Sequence, residues 1–128
     1  MKFLLDTHTF LWFINDDKKL SLKSKEIISN PNNIRYLSYA SIWEIAIKSG
    51  LGRIDLPDDF ENFITEQLNI NYIEIFPFRI SHFAKVKELP FFHKDPFDRI
   101  IIAQSIVENL TVLGIDSIFD KYGIKRIW

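Results

Sequence analysis

The sequence predicts an α/β fold in which a parallel β-sheet is flanked by helices on both faces. Short apolar segments suited to buried strands alternate along the chain with segments that have helical periodicity. Strands separated by helices in this way pair in parallel, and right-handed crossovers distribute the helices over both faces. A single domain over residues 1–128 is expected, because 47% of the residues are hydrophobic and Gly (4) and Pro (5) are few.

The first predicted elements are a strand and two helices. Phe3–Leu5 is a short apolar run closed by an acid, as in a buried strand. The apolar residues within about Thr9–Asn15 follow helical spacing, and a second helix is predicted at about Ser21–Ser29. The turn-forming residues Asn30–Asn33 end this helix and separate it from the next strand.

The central elements are a second strand and two further helices. Ile34–Ser38 is predicted as a strand, and Ser41–Ser49 as a helix that stops at Gly50. Pro57–Asp59 then opens a helical stretch that runs to about Leu68, because Pro and Asp are typical of a helix start.

The last elements repeat the alternation of strand and helix. Tyr72–Phe76 alternates apolar and polar residues, as a half-exposed strand should. Pro96–Asn109 is the clearest helix, since a Pro opens it and its residues are apolar nearly all round. The remaining predictions are a helix at Ile80–Glu88, a loop at Pro90–Lys94, strands at Thr111–Ile115 and Lys125–Ile127, and a helical turn at Ser117–Tyr122.

Charge and composition exclude several classes of protein. The 16 basic and 17 acidic residues give a net charge of −1, which argues against a nucleic-acid coat protein but not against a nucleic-acid enzyme. Cys is absent, so disulfides, thiolate metal sites and a cysteine nucleophile are ruled out. No apolar run approaches the ~18 residues of a membrane span, and Asp6 comes too early for a signal peptide. A cytoplasmic location is therefore expected.

Four acids fall where a parallel sheet binds its ligands, beyond the carboxyl ends of the strands. Asp6 closes the first strand, and Asp116 follows the apolar run Val112–Ile115. Glu44 and Asp98 are predicted in the first turns of the helices that begin at Ser41 and Pro96.

Each of these acids also has a purely structural interpretation. Asp6 can begin a turn, and Asp116 can cap the short turn after it. Ser41–Glu44 matches a capping box, in which the Glu side chain returns to the first amide of the helix. Asp95 fits the N-cap position of a helix whose first turn contains Asp98, an acid favourable to the helix dipole.

The joint arrangement of the acids favours a shared site. On a helical wheel Glu44 and Lys48 lie opposite the apolar face around Ile42, so Glu44 is free to face a cleft. Carboxylates held close together repel by several kcal/mol at ~4 Å and an effective dielectric near 20, and a divalent cation removes that cost. Oxygen ligands select Mg²⁺ or Mn²⁺ over zinc. The predicted chemistry is metal-assisted attack on a phosphodiester.

Three blocks of sequence resemble a known family. Phe3–Trp12 resembles the opening of PIN-domain proteins and, more closely, of the ribonuclease toxins of bacterial and archaeal toxin–antitoxin pairs, the VapC type. Ser38–Lys48 resembles the second motif of that family, and His93–Gln104 resembles its third. The ending Asp116–Trp128 is similar to the family's final acid, helical turn and edge strand.

The resemblance implies a five-stranded parallel sheet of order 3-2-1-4-5. It also implies a metal-dependent endoribonuclease that acts as the toxin of a type II toxin–antitoxin pair, with Mg²⁺ (or Mn²⁺) as cofactor. RNA is the implied substrate, and a cognate antitoxin and a second copy of the chain are the implied partners. Catalytic and metal-binding roles are implied for Asp6, Glu44 and Asp98, with Asp116 as a fourth, more variable acid. The alternative is a degenerate PIN domain that binds RNA or a partner without cleaving.

Two residues near the acids modify this expectation. Gly114 stands where the family commonly has Thr or Ser, so one possible hydrogen bond to the metal shell is missing. Thr7 either hydrogen-bonds an acid or a metal-bound water, or is a plain turn hydroxyl. The three His residues share no metal-ligand spacing, so none of them is predicted to be a metal ligand.

Basic and aromatic residues supply weaker candidates. Contacts with RNA phosphates are considered for Lys48, Arg53, His93, Lys94 and Arg99. Arg53 and Lys94 are better explained as solvated charges, and Arg99 has the alternative of pairing with a carboxylate of a partner. Core packing is the main expectation for Trp12, Phe13, Phe91 and Phe92, and the alternative is a groove for a helical antitoxin segment.

Overall fold

The computed structural model describes residues 1–57 and 59–128 and contains a five-stranded, all-parallel sheet. The strands are β1 (Lys2–Leu5), β2 (Ile34–Ser38), β3 (Glu74–Phe76), β4 (Thr111–Leu113) and β5 (Arg126–Ile127). Their order across the sheet is β3-β2-β1-β4-β5. The predicted fold class and strand order are therefore confirmed.

Helices connect the strands. They are α1 (Thr7–Ile14), α2 (Leu22–Ser29), α3 (Tyr39–Gly50), α4 (Phe60–Ile70), α5 (Ile80–Glu88) and α6 (Pro96–Glu108), with a 3-10 helix at Ser117–Tyr122. Within the described part of the chain, no helix combines the length and the apolar character that crossing a membrane requires.

The apolar core lies on both faces of the sheet. Leu4 of β1 pairs with Tyr36 on one side and Val112 on the other, which places β1 in the middle of the sheet. Leu4 belongs to the apolar cluster that contains the buried face of α6, whereas Leu5 belongs to a second cluster with residues of α1 to α4. Because successive strand residues point to opposite faces, these two clusters confirm that helices cover both sides.

Two helices begin earlier than predicted, because residues at strand ends cap them. The side chain of Asp6 accepts a hydrogen bond from the backbone of Thr7, so α1 begins at Thr7 rather than at Thr9. Ser38 Oγ accepts a hydrogen bond from the backbone N of Ala40 at 3.0 Å, so α3 begins at Tyr39. The predicted capping box at Ser41–Glu44 is therefore wrong, and so is the first-turn position of Glu44, which lies in the second turn of α3.

Other boundaries differ by a few residues. The strand predicted from Tyr72 begins at Glu74, because Tyr72 has φ +53° and its carbonyl accepts a hydrogen bond from the guanidinium of Arg35. In the helical opening predicted at Pro57–Asp59, Asp58 lies outside the described residues. Asp59 is the N-cap of α4, and its Oδ1 accepts a hydrogen bond from a backbone N three residues on, at 3.1 Å.

Candidate active site

A cavity of about 270 Å³ opens beside the carboxyl ends of β1 and β4. The side chains around it are Asp6, His8, Glu44, Lys48, Asp95, Asp98, Ile115 and Asp116. The four acids that the sequence predicts for a shared site therefore line one cavity, although they come from four separate segments of the chain.

Asp6 is placed by the end of β1 and the start of α1. Its backbone N donates to the carbonyl oxygen of Leu113 at 3.0 Å, which continues the pairing of β1 with β4. Its Oδ1 accepts a hydrogen bond from the backbone N of Thr7 at 2.8 Å. Asp6 is only 5% exposed. It thus begins the turn into α1, as its structural interpretation predicts, and lines the cavity as well.

Glu44 reaches the cavity from the middle of α3 and is 4% exposed. One carboxylate oxygen, Oε2, accepts a hydrogen bond from Lys48 Nζ at 2.7 Å, an ion pair between successive turns of the helix. The other oxygen, Oε1, is buried and has no hydrogen-bond partner among residues 1–57 and 59–128. A buried oxygen without a partner is costly, so Glu44 Oε1 is an acceptor suited to a bound cation or water.

Asp98 is presented by the first turn of α6. Asp95 is the N-cap of this helix, as predicted, because its Oδ1 accepts hydrogen bonds from the backbone N atoms of Phe97 at 2.8 Å and Asp98 at 3.1 Å. The Asp98 side chain is one-fifth exposed, and its Oδ2 lies 2.8 Å from His93 Nε2. The Asp98 carboxylate therefore does not cap the helix and lies beside the imidazole of His93.

Asp116 is the most exposed of the four acids. Its Oδ1 accepts a hydrogen bond from the backbone N of Ile118 at 3.0 Å, so it caps the 3-10 helix as its structural interpretation predicts. Its carboxylate still belongs to the site, because one ligand atom each of His93, Asp98 and Asp116 lie within 4.8 Å of one another.

Burial and mutual repulsion change the acidity of the site. Burial, followed by the negative charges of Asp6 and Asp95, raises the pKa of Asp98 from 3.8 to about 8. Burial also raises the pKa of Asp6 from 3.8 to about 6, against the effect of the nearby His8. A cation would restore the ionised form of both groups.

The residues around the cavity fit a hard divalent cation. Carboxylate oxygens dominate the donor set, which suits Mg²⁺ or Mn²⁺ better than zinc or copper. Glu44 Oε1 supplies a buried acceptor that lacks a partner in the described chain. The raised pKa values of Asp6 and Asp98 indicate that ionisation of these carboxyls is unfavourable when no cation is bound.

Two predicted polar contacts are wrong. Arg99 is only 5% exposed, so its guanidinium is not available to a phosphate or to a partner's carboxylate. Its guanidinium donates to backbone carbonyl oxygens of Val86, Leu89, Pro90 and His93. Thr7 Oγ1 lies 2.9 Å from Ser41 Oγ and is buried, so it links α1 to α3 instead of facing an acid or a metal-bound water.

The aromatic candidates divide into two groups. Trp12 and Phe13 pack against the apolar core, as expected, and Trp12 also stacks with the exposed ring of His8. Phe91 and Phe92 are exposed, at 78% and 49%, contrary to the main expectation of core packing.

Sequence reasoning missed two features of the site. Spacing between His residues gives no sign of His93, which lies two positions before the N-cap Asp95 and groups with Asp98 and Asp116. It also missed Trp43, which lies one residue before Glu44, is 59% exposed and contacts Phe97 edge to face.

Comparison with known proteins agrees with this architecture. The chain is similar in structure to VapBC2 from Rickettsia felis bound to a DNA fragment from its promoter, with a TM-score of 0.75 and 18% identity over 99% of this chain and 98% of that chain. It is also similar to VapBC-1 from nontypeable Haemophilus influenzae, with a TM-score of 0.65 and 14% identity over 99% and 97% of the two chains. For FitAcB from Neisseria gonorrhoeae the TM-score is 0.60 and the identity 18%, over 98% and 96%.

Because the sequence identities are only 14–18%, these structural similarities establish the fold alone. No curated protein matches the chain significantly. The PIN domain family, however, matches residues 3–125, which include all four acids of the cavity. The chain therefore belongs to the PIN domain family.

Proposed function

We propose that this protein is a metal-dependent endoribonuclease that acts as the toxin of a type II toxin–antitoxin pair. PIN domains are generally nucleases. Two of the similar structures are VapBC proteins, and the sequence itself resembles VapC-type toxins. The observation that carries the proposal is the convergence of Asp6, Glu44, Asp98 and Asp116 on one cavity, with a buried oxygen of Glu44 left without a described partner.

The acids have different roles in this proposal. Asp6 and Asp98 would hold the cation, and Asp116 would be a further oxygen ligand. Glu44 binds the cation or orients the attacking water through Oε1. When bound, the cation supplies a Lewis acid that neutralises charge on the phosphate and lowers the pKa of water. Lys48, which also lines the cavity, would supply positive charge to an incoming phosphate.

Hydrolysis in this site uses water as the nucleophile. Water attacks phosphorus in line and the 3′ oxygen leaves, which gives 5′-phosphate and 3′-hydroxyl ends. The ribose 2′-hydroxyl is not the nucleophile, so the preference for RNA depends on recognition of shape and bases.

The exposed apolar surface of α3 supports the proposal that this protein binds a protein partner. The side chains that it exposes at four-residue spacing are Tyr39, Trp43, Ile47 and, just after the helix, Leu51. Apolar stripes of this kind mark protein interfaces. We propose a cognate antitoxin as the occupant and a homodimer as the resting assembly, in the cytoplasm. Light scattering with and without the co-expressed antitoxin distinguishes a second copy from an antitoxin on this surface.

The nuclease proposal is tested with the purified full chain and labelled single-stranded RNA. Cleavage is expected with Mg²⁺ or Mn²⁺ and is expected to stop on addition of EDTA. Asp6→Asn should lower cleavage by at least ~100-fold, because losing a direct ligand costs more than the 10–100-fold typical of an indirect partner. Asn keeps the N-cap of α1, so the variant should fold.

The matched control is Asp55→Asn, which changes an exposed acid that does not line the cavity. It should cleave like the original protein. RNA binding without cleavage under all metal conditions would instead identify a degenerate PIN domain and contradict the proposal. Full activity of Asp6→Asn at saturating metal would contradict the proposed role of Asp6 in holding the cation.

A further inference from the structure

His8 contributes the one aromatic ring among the described residues that line the acidic cavity. It is the second residue of α1, and its side chain is exposed. Asp6 lies two residues earlier, and although burial dominates the pKa of Asp6, the nearby charge of His8 lowers it. The imidazole therefore lies beside the acids, at the place where the phosphate of a substrate would be bound.

A row of aromatic side chains supports the imidazole from behind. Trp12 lies four residues after His8 on α1, so the two side chains share one face of the helix. Their ring centroids are 5.7 Å apart and their planes differ by 27°, which is an offset stack. Trp12 packs against the apolar core and meets the ring of Trp128 edge to face at 5.8 Å. The His8 ring is thus the exposed end of an aromatic row that the core anchors.

The His8 side chain has little structural work of its own. Apart from the stack with Trp12, no hydrogen bond, ion pair or ring contact joins this side chain to residues 1–57 and 59–128. The face of the imidazole that is turned away from Trp12 is therefore available to a substrate bound in the cavity.

From this placement we infer that His8 is a binding residue for RNA, and that a nucleobase next to the scissile phosphate stacks on its imidazole. The inference rests on the proposed function, because it takes RNA as the substrate of the cavity. Each base is joined to its phosphate through a single ribose, so a base that flanks the bound phosphate lies at the cavity wall. Proteins recognise unpaired bases by stacking them on aromatic side chains, including His. A base in a duplex is already stacked on its neighbours, so this site should favour single-stranded RNA.

The competing role for His8 is a contact between its positive charge and a phosphate. A phosphate contact needs only a charged N–H group and gains nothing from the ring of Trp12. A base on the outer face of the imidazole, in contrast, extends the aromatic row by one ring. Because the row is anchored before the base arrives, stacking costs little ordering of side chains. The arrangement of the rings therefore favours the base over the phosphate.

Steady-state cleavage of a single-stranded RNA by the purified full chain tests this inference. His8→Ala removes the ring, His8→Phe keeps a flat ring without charge, and His8→Lys keeps a charge without a ring. Stacking of one base changes affinity by about 5- to 150-fold, so His8→Ala should raise KM within this range and change kcat less. His8→Phe should recover most of the loss, and His8→Lys should not. Ala is the best helix former, so His8→Ala should fold.

RNAs that contain one abasic nucleotide identify the stacked base. The abasic nucleotide is moved one position at a time along the RNA, on both sides of the mapped cleavage point. At one position it should raise the KM of the original chain, but His8→Ala should cleave the abasic and the intact RNA with equal KM. This dependence of one change on the other is the mark of a direct contact.

Phe83→Ala is the control for loss of an exposed aromatic ring. Phe83 lies on α5, is 51% exposed and does not line the cavity. Its variant should keep the KM of the original chain for the intact RNA and for every abasic RNA.

The outcomes separate this inference from the proposed function. If the original chain neither cleaves nor binds RNA, both are contradicted. If it binds RNA without cleaving, the proposed function fails, and dissociation constants from the fluorescence anisotropy of labelled RNA decide the inference with the same variants. Equal KM in the original chain and in folded His8→Ala would overturn the inference alone. Recovery by His8→Lys and not by His8→Phe would also overturn it, because the contact would then be one of charge.

Discussion

Gly114 faces the side chain of Asp6 so closely that a β-carbon at position 114 would lie 3.0 Å from Asp6 Cβ. Gly114 directly follows β4, and Asp6 directly follows β1, so this approach belongs to the junction of two paired strands. The sequence alone shows only that position 114 lacks the hydroxyl group of a Thr or Ser, and with it one possible hydrogen bond to the metal shell. In the structure, any side chain there would press on an acid of the cavity.

Gly114→Ala should therefore weaken cation binding. The added methyl group displaces Asp6 by a few tenths of an ångström, and overpacking of this kind typically costs about 1–3 kcal/mol of the free energy of unfolding. We expect a several-fold loss of Mn²⁺ affinity in a protein that still folds, measured by titration and by denaturant unfolding.

Gly50→Ala is the control for this change, because a β-carbon at Gly50 would meet nothing within 4 Å. Gly50 is the last residue of α3, so Ala should leave stability unchanged or raise it slightly. Equal Mn²⁺ affinity in the two variants would show that the approach of Gly114 to Asp6 does not constrain the site.

The stability of the cation-free protein should fall as pH rises from about 5 to 8. Asp6 and Asp98 have folded-state pKa values of about 6 and about 8, above the 3.8 of the unfolded chain. The folded state therefore binds more protons in this range, and stability decreases with pH. Carboxyls with lowered pKa values, Glu108 and Asp120, act in the opposite direction only at lower pH.

Thermal unfolding with and without Mg²⁺ measures this dependence. Since Mg²⁺ binds the ionised carboxylates, the rise in melting temperature that it produces should increase from pH 5 to pH 8. Asp98→Asn should flatten the cation-free profile and raise the melting temperature at pH 8. A cation-free profile that rises with pH over this range would contradict the assigned direction.

Lys48→Met should separate cation binding from RNA binding. Removing the ammonium group 2.7 Å from Glu44 Oε2 leaves a buried carboxylate unpaired, so the cation-free protein should melt at a lower temperature. Mn²⁺ affinity should rise a few-fold, because one neighbouring positive charge is lost. The KM for RNA should increase, and the slope of log KM against log salt should weaken by ~0.7.

The exposed Lys23 of α2 supplies the control for this loss of charge. Lys23→Met should leave the KM, the salt dependence and Mn²⁺ affinity unchanged. If Lys48→Met has the same salt dependence as Lys23→Met, then Lys48 pairs with Glu44 without contacting RNA.

Arg99→Lys should destabilise the protein by ~2–4 kcal/mol. The guanidinium donates to several backbone carbonyls of the segment before α6 and lies 4.2 Å from the centre of the Phe91 ring. Lysine cannot repeat this fork of donors, and each buried group left unpaired costs about 1–3 kcal/mol. Hydrogen exchange should quicken at 90–94, whereas the exposed control Arg53→Lys should change stability by less than ~0.5 kcal/mol.

The parts of the fold that could be predicted are those that depend on local sequence. The pattern of Phe3–Leu5 and the Pro-led start of α6 each specify an element without help from distant residues. The N-cap role of Asp95 follows from the same local logic and is confirmed by its two hydrogen bonds. Convergence of the acids was predicted because parallel strands place their carboxyl ends at one edge.

The missed features depend on contacts between distant segments. The start of α3 moved because Ser38, at the end of a strand, is a better-placed cap than Ser41. The predicted contact of Arg99 with RNA or with a partner's carboxylate was wrong, because nothing in the local pattern shows that the carbonyls of Val86 and His93 lie around its guanidinium. The identity of the bound cation and the target RNA depend on chemistry outside the chain, so both remain predictions.

Because β1 lies between β2 and β4, its second partner strand comes from near the opposite end of the sequence. A nascent chain on the ribosome therefore cannot complete the central pairing, or bring Asp98 and Asp116 beside Asp6, until nearly all of it has left the exit tunnel. The acids therefore stay apart until the segment that contains Asp116 has left the tunnel, and the cavity that they line is completed late.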